Sequence, residues 1–253
     1  MSHERGPHVT SWYHTGGNAR MQRSLDDAML FLFDIDGTLL RGMPPVHRQA
    51  ICDAALAVYE LRLTPADLGQ TAGMTDIAII RRATQRHGLN ATDFEAGLPE
   101  FFARAADAHD RLVPDDLRPY HTPYAERALE WLTSRGADLG LVTGNVERIA
   151  WAKMRAAGLA RYFVCGAFGD EAEARDQLPS LAIERARRLT GRSIAEQDTY
   201  VVGDTPADIA CGVACGMRTV AVATGVVHSL DELRACSPDF AFADLADLLD
   251  LPL

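Results

Sequence analysis

Lysine is almost missing from this chain: Lys153 is the only one among 25 basic side chains, so lysine-based covalent chemistry is excluded from every other segment. No apolar run approaches the roughly 20 residues needed to cross a bilayer, and no charged stretch precedes a short apolar core as in a secretory leader. A cytoplasmic protein without a membrane partner is expected. Positive charge is also in deficit, with a net charge of -10, which argues against nucleic acid as a partner because phosphate backbones are held by clustered Lys and Arg. The five cysteines (Cys52, Cys165, Cys211, Cys215, Cys236) are an odd number without secretory context, which favours reduced thiols. Cys211 and Cys215 share a helical face, but they lack partners at zinc spacing and read as small core residues.

What is present centres on Met29-Leu30-Phe31-Leu32-Phe33-Asp34-Ile35-Asp36-Gly37-Thr38-Leu39. Five apolar residues in a row read as a strand buried on both faces, and it ends in two carboxylates, a glycine and a threonine. Asp36-Gly37 is also a common turn dipeptide. Extended alternation puts Asp34 and Asp36 on one side of the chain, and two like charges held together call for a cation or a shared proton.

Residues 1–26 carry no sustained period and are expected to form an N-terminal tail; His3, His8 and His14 within it are too irregularly spaced for a metal site. From Val46 to about Leu117 the pattern reads as helical, with Ile51, Ala55, Val58 and Leu61 and then Ile77, Ile80 and Ala83 at helical spacing. Asn90 or Thr92 is placed to cap a third helix. Beyond Pro123 helices and strands alternate. Asp138–Val142 is expected to be a strand ending at Thr143-Gly144-Asn145, a short strand is expected near Tyr162–Cys165, and a further strand spans Thr199–Gly203 before Asp204-Thr205-Pro206-Ala207-Asp208. Thr219–Val222 is another, and Ser229 and Glu232 have capping-box spacing. The alternation implies a doubly wound parallel sheet.

Asp34 with Asp36, Thr143, and Asp204 therefore each follow the C-terminal end of a different strand, and in a parallel sheet those ends share one edge. Acid, hydroxyl and acid at one edge suit Mg²⁺, which takes oxygen ligands, and a phosphoryl group that an aspartate can attack.

These segments, Asp34-Ile35-Asp36-Gly37-Thr38-Leu39, Leu141-Val142-Thr143-Gly144-Asn145 and Gly203-Asp204-Thr205-Pro206-Ala207-Asp208, resemble the first, second and fourth motifs of the haloacid dehalogenase superfamily. The resemblance implies a Rossmann-like catalytic core (27–43 and 120–253) with an inserted α-helical cap (44–119). It also implies a Mg²⁺-dependent phosphatase acting on a small phosphorylated metabolite. Asp34 would be the nucleophile and a metal ligand. Asp36 would be the general acid and base and give the metal its backbone carbonyl. Asp204 would complete the protein's metal ligands, with Asp208 behind them orienting metal waters. Thr143, Gly144 and Asn145 would hold the phosphoryl oxygens.

The third motif departs from the family pattern, because the usual lysine is missing between Gly169 and Pro179; Arg175 is the candidate for that role, as a catalytic and substrate-binding residue. Lys153, in the middle of the helix after Thr143, is expected at the surface. Three other readings stay open: a sugar phosphomutase, a haloacid dehalogenase, and a noncatalytic phosphate-binding protein. A phosphonate hydrolase of the superfamily uses a cap lysine, and the absence of lysine from residues 44–119 argues against that reading. Arg41, Arg81, Arg82 and Arg86 are placed to meet an anionic substrate. The turn Gly73-Met74-Thr75-Asp76 reads either as a substrate contact or as a helix start.

Overall fold

Leu30–Phe33 has no polar side chain, and the computed structural model, which describes residues 28–253, buries all four at the centre of a sheet as strand β1. The chain then forms helices α1 (Val46–Tyr59), α2 (Asp76–Arg86), α3 (Ala91–Leu112) and α4 (Ala125–Ser134) before strand β2 (Asp138–Val142). Helix α5 (Glu147–Ala156), strand β3 (Cys165–Ala167), helix α6 (Leu178–Thr190), strand β4 (Thr199–Gly203) and helix α7 (Pro206–Ala214) follow. Strand β5 (Arg218–Val222), helix α8 (Leu230–Ala235) and strand β6 (Phe240–Phe242) complete the regular elements. The N-terminal tail and its histidines lie outside the described residues.

Among the described residues the six strands are all parallel, in the order β3-β2-β1-β4-β5-β6, so the sheet grows in opposite directions from β1 and β4. This is the expected doubly wound α/β architecture, with a helical insert between β1 and β2. Its crevice opens beyond the strand ends where the winding reverses.

Strand alternation divides the core. Phe31 and Phe33 face one side of the sheet with Leu129, Leu132 and Met154, while Leu30 and Leu32 face the other with Leu178, Ile183 and Val201. Phe31 stacks on Tyr200 of β4 with ring centroids 4.4 Å apart. Burying each such aromatic contributes about 2–3 kcal/mol, so truncating β1 side chains would loosen both layers at once.

Helices α1 to α3 bury Ile51, Ala55, Ile80, Phe94 and Phe101 in a cluster of their own, which also takes in Val146 and Ile149 at the start of α5. The insert is therefore packed onto the helix that leaves β2. Residues 60–75 are not helical, in contrast to the continuous helical pattern read from the sequence. Glu60 adopts a left-handed backbone (φ 56°) that ends α1, and Leu61 falls outside it. Two arginines hold the irregular stretch: Arg48 donates to Thr71 Oγ1 (2.9 Å) and Gly69 O (3.0 Å), and Arg82 donates to Leu68 O and Gln70 O (both 2.5 Å). Asn90 caps α3 and Ser229 with Glu232 closes a capping box on α8, as read. Strand β3 lies slightly later than expected because Ala160–Tyr162 turn as a 3-10 helix.

Candidate active site

Register brings the site together. Phe33 is level with Leu141 on one side and Val202 on the other, and the Asp34 amide donates to Val202 O at 3.0 Å. Asp34 consequently lies between the ends of β2 and β4, with Thr143 and Asp204 one step further along each. These residues line a cavity of about 460 Å³ beneath the insert, with Asp36, Gly144, Asn145 and Arg175 also in its wall.

Asp34, Asp204 and Asp208 are all buried, and one carboxylate oxygen from each lies within 4.8 Å of the others. Asp208 is fixed by a capping box with Thr205 at the start of α7, where Thr205 N donates to Asp208 Oδ2 at 3.0 Å. Thr38 Oγ1 donates to Asp204 Oδ1 at 3.2 Å. Gly37 and Gly225 leave room for that side chain: a Cβ on either would stand 2.2 Å or 1.9 Å from Asp204 Oδ2. Burial pushes the Asp34 carboxyl up to about 6 despite the Arg175 charge beside it. Asp204 is pushed up to about 8, by burial first and then by the charges of Asp34 and Asp208.

Arg175 is the only guanidinium that answers this charge among the described residues. Its Nη2 donates to Asp34 Oδ1 (3.0 Å), to Asp208 Oδ1 and to Val142 O (3.4 Å), and its Nε is buried without a partner. Loss of solvent works against the Arg175 charge, but Asp208 and Asp34 together hold it more firmly protonated than usual. Three converging carboxylates against one guanidinium leave an excess of negative charge. Hard oxygen donors in that number fit a divalent cation such as Mg²⁺.

Asp36 faces a different set of groups. Lys153 Nζ lies 2.8 and 2.7 Å from its two carboxylate oxygens, 2.6 Å from Asn145 Oδ1 and 3.4 Å from His47 Nδ1. Asn145 Nδ2 donates to Asp36 Oδ2 (2.8 Å) and to Thr143 Oγ1 (2.8 Å). Burial favours the neutral acid, but the Lys153 charge and its hydrogen bonds outweigh that and hold Asp36 below the usual carboxylate range. The surface position expected for Lys153 is therefore wrong: the residue is 2% exposed. It lies on the buried face of α5 with Ile149, Ala150 and Met154. Helical side chains lean toward the N-terminus of their helix, and the N-terminus of α5 is at the sheet edge, so the long stem carries the ammonium back to the site.

The insert closes this wall. His47 Nε2 and the Val146 amide both lie 2.9 Å from Asp76 Oδ2, while the Asp76 amide donates to Gly144 O (2.8 Å) and the Ile77 amide to Gly169 O (3.2 Å). Gly144 permits that approach, since a Cβ there would stand 2.0 Å from Met74 O. Thr75 caps α2, so the helix-start reading of this turn holds, while Gly73, Met74 and Asp76 also line the cavity. Of the four arginines singled out, Arg41 lies on the rim of the cavity. Arg81 is paired with Glu95 and Glu173, and Arg82 supports the loop described above. His47 and His109 also line the cavity and had no signal in the sequence, because isolated histidines in a helical pattern are indistinguishable from surface ones.

Residues 28–216 match the family model described as hydrolase, haloacid dehalogenase-like hydrolase. Phosphoglycolate phosphatase 1 of Pseudomonas aeruginosa is 28% identical over 227 residues, covering 87% of this chain and 78% of that protein. Phosphoglycolate phosphatase of Rhodospirillum rubrum is 28% identical over 228 residues, covering 87% and 90%. A crystal structure of a hydrolase from Pseudomonas syringae shares the fold with a TM-score of 0.62 at 19% identity, covering 88% of this chain and 96% of that one. With three strand-end motifs meeting at one cavity and a family match over most of its length, this chain belongs to the haloacid dehalogenase-like hydrolases.

Proposed function

We propose that the protein is a Mg²⁺-dependent phosphomonoesterase that hydrolyses a small phosphorylated metabolite through a phosphoryl-aspartate formed on Asp34. The observation that carries this reading is the meeting of Asp34, Asp204 and Asp208 within 4.8 Å of one another, with Arg175 paired to Asp34 and Asp208. The similarity to phosphoglycolate phosphatases supports the reaction class, and the cavity is of a size for a small ester.

Asp34 and Asp204, with the backbone carbonyl of Asp36, would hold the cation, and Asp208 would orient its surroundings. Bound there, Mg²⁺ would neutralise negative charge on the transferring group. Arg175 anchors one oxygen of Asp34, leaving the other to attack phosphorus, and its unpartnered Nε is available to a phosphoryl oxygen. Thr143 and the amides near Gly144 and Asn145 bind the remaining oxygens. Asp36, beside the leaving group, gives it a proton and later takes one from the water that cleaves the phosphoryl-aspartate. Five free cysteines support a reducing, cytoplasmic setting.

The test is phosphate release from p-nitrophenyl phosphate with and without Mg²⁺, in the wild type and in Asp34→Asn. Metal-dependent turnover that disappears in the variant is expected. Turnover that survives in the variant, or none in the wild type, overturns the reading.

A further inference from the structure

One wall of the cavity is made of groups whose hydrogen-bonding capacity is already taken. Lys153 is shared among Asp36, Asn145 and His47; Asn145 is engaged at both its oxygen and its nitrogen; His47 is engaged by Asp76 and Lys153. His109, on the last turn of α3, stands against this wall with its ring 6.1 Å from that of His47 and nearly perpendicular to it (82°). It is 0% exposed, it lines the same cavity, and neither of its ring nitrogens has a partner. Leaving a buried polar group unpaired costs about 1–3 kcal/mol, so an imidazole idle on both nitrogens is a poor scaffold element and a ready ligand contact.

We propose that His109 reads the leaving group of the substrate, and that what it reads is an alcohol hydroxyl, which makes the substrate a phosphate monoester of a small polyol. This deepens the phosphomonoesterase reading above and rests on it. A neutral imidazole offers one N–H donor and one lone pair on opposite sides of its ring, and a hydroxyl can pair with either, whereas a carboxylate can pair only with the donor. Charge points the same way. The Lys153 ammonium is already matched by Asp36, Asp76 adds a further negative charge, and Arg48 is committed to loop carbonyls. Arg41 is an exposed cation at the rim. Burial, and then the nearby Lys153, push the His109 imidazolium down to about 3, so its ring is neutral at ordinary pH.

The experiment compares three esters of similar size: 2-hydroxyethyl phosphate, ethyl phosphate and 2-phosphoglycolate. For the wild type, kcat/KM for the hydroxyethyl ester should exceed both others at least tenfold. His109→Phe, which keeps a ring and removes both nitrogens, should bring the hydroxyethyl and ethyl esters to within about threefold of each other. His109→Gln, which keeps a donor and an acceptor, should preserve most of the preference. A wild type that prefers 2-phosphoglycolate, or a His109→Phe enzyme with the original ratio, overturns the proposal. Calorimetric titration of the same esters into Asp34→Asn separates the two readings. Selective binding of the hydroxyethyl ester without turnover of any ester by the wild type would overturn the hydrolase reading and uphold the hydroxyl site. Equal binding of all three would overturn the hydroxyl site.

Discussion

Lys153 Nζ holds both carboxylate oxygens of Asp36, at 2.8 and 2.7 Å, across 117 residues of sequence. The single lysine of the chain thus fixes the side chain proposed to move the proton, and it does so from the helix that follows β2. The contact ties the insert as well, because His47 and Asp76 continue the same network.

Removing that ammonium should loosen Asp36 and leave its charge with only the Asn145 amide as a hydrogen-bond partner. Asp36 is crowded by protein yet keeps 39% of its side chain open to the cavity, against 2% for Lys153, so solvent offsets part of the loss. Lys153→Met should therefore cost about 1–3 kcal/mol in urea unfolding, short of a fully buried pair. In the double variant with Asp36→Asn most of that loss should return, and an additive double variant would show that the two side chains are not coupled.

Arg175 is enclosed far more completely, at 9% exposure, and bridges one acid at the end of β1 and another in the first turn of α7. Arg175→Ala should lower kcat at least a hundredfold and destabilise the metal-free protein by about 3 kcal/mol, read by steady-state kinetics and thermal melts. Arg175→Lys should restore part of the stability but little of the rate, since an ammonium can pair with Asp34 and Asp208 but has no second nitrogen, like the Arg175 Nε, to offer a phosphoryl oxygen.

Asp204 is held among like charges. Asp204→Asn should raise the stability of the metal-free protein by about 1–2 kcal/mol by relieving that repulsion, and should abolish the stabilisation given by millimolar Mg²⁺. Melting curves with Mg²⁺ and with a chelator read both effects, and a variant still stabilised by Mg²⁺ would remove Asp204 from the metal site.

His109 makes stability depend on pH. In the fold its proton affinity is pushed down to about 3 from 6.5, so below pH 6.5 the unfolded chain takes up a proton that the native protein does not. The His109 contribution is complete above pH 6.5 and is lost as pH falls toward 3, by about 3 kcal/mol at pH 4 if the shift is realised in full, against the opposite contributions of Asp34 and Asp204, whose raised carboxyls take up protons in the native protein first. His109→Phe should flatten the profile between pH 6.5 and 4 in urea titrations, and an unchanged slope would place the pH dependence elsewhere.

Much of this site is legible along the chain because its chemistry sits at strand ends. An apolar strand followed abruptly by aspartates marks Asp34, Asp36 and Asp204 as residues of one sheet edge, since a parallel sheet delivers every C-terminal end to the same side. The doubly wound fold follows from the same alternation of helix and strand. Arg175 could be chosen because its loop contains no other cation.

Groups that reach the site from helices had no comparable mark. Lys153 looks like any mid-helix lysine until the packing of α5 shows that its face is buried and its stem runs back toward the strand ends. His47 and His109 come from opposite ends of the insert and meet only because α1 packs against α3 and the start of α2 is hydrogen-bonded to Gly144 and Gly169. Local sequence therefore determined the strands, their order of chemistry and the acidic rim. Tertiary packing alone decided which side chains close over that rim, because the direction of a long side chain on a helix depends on which face its neighbours bury.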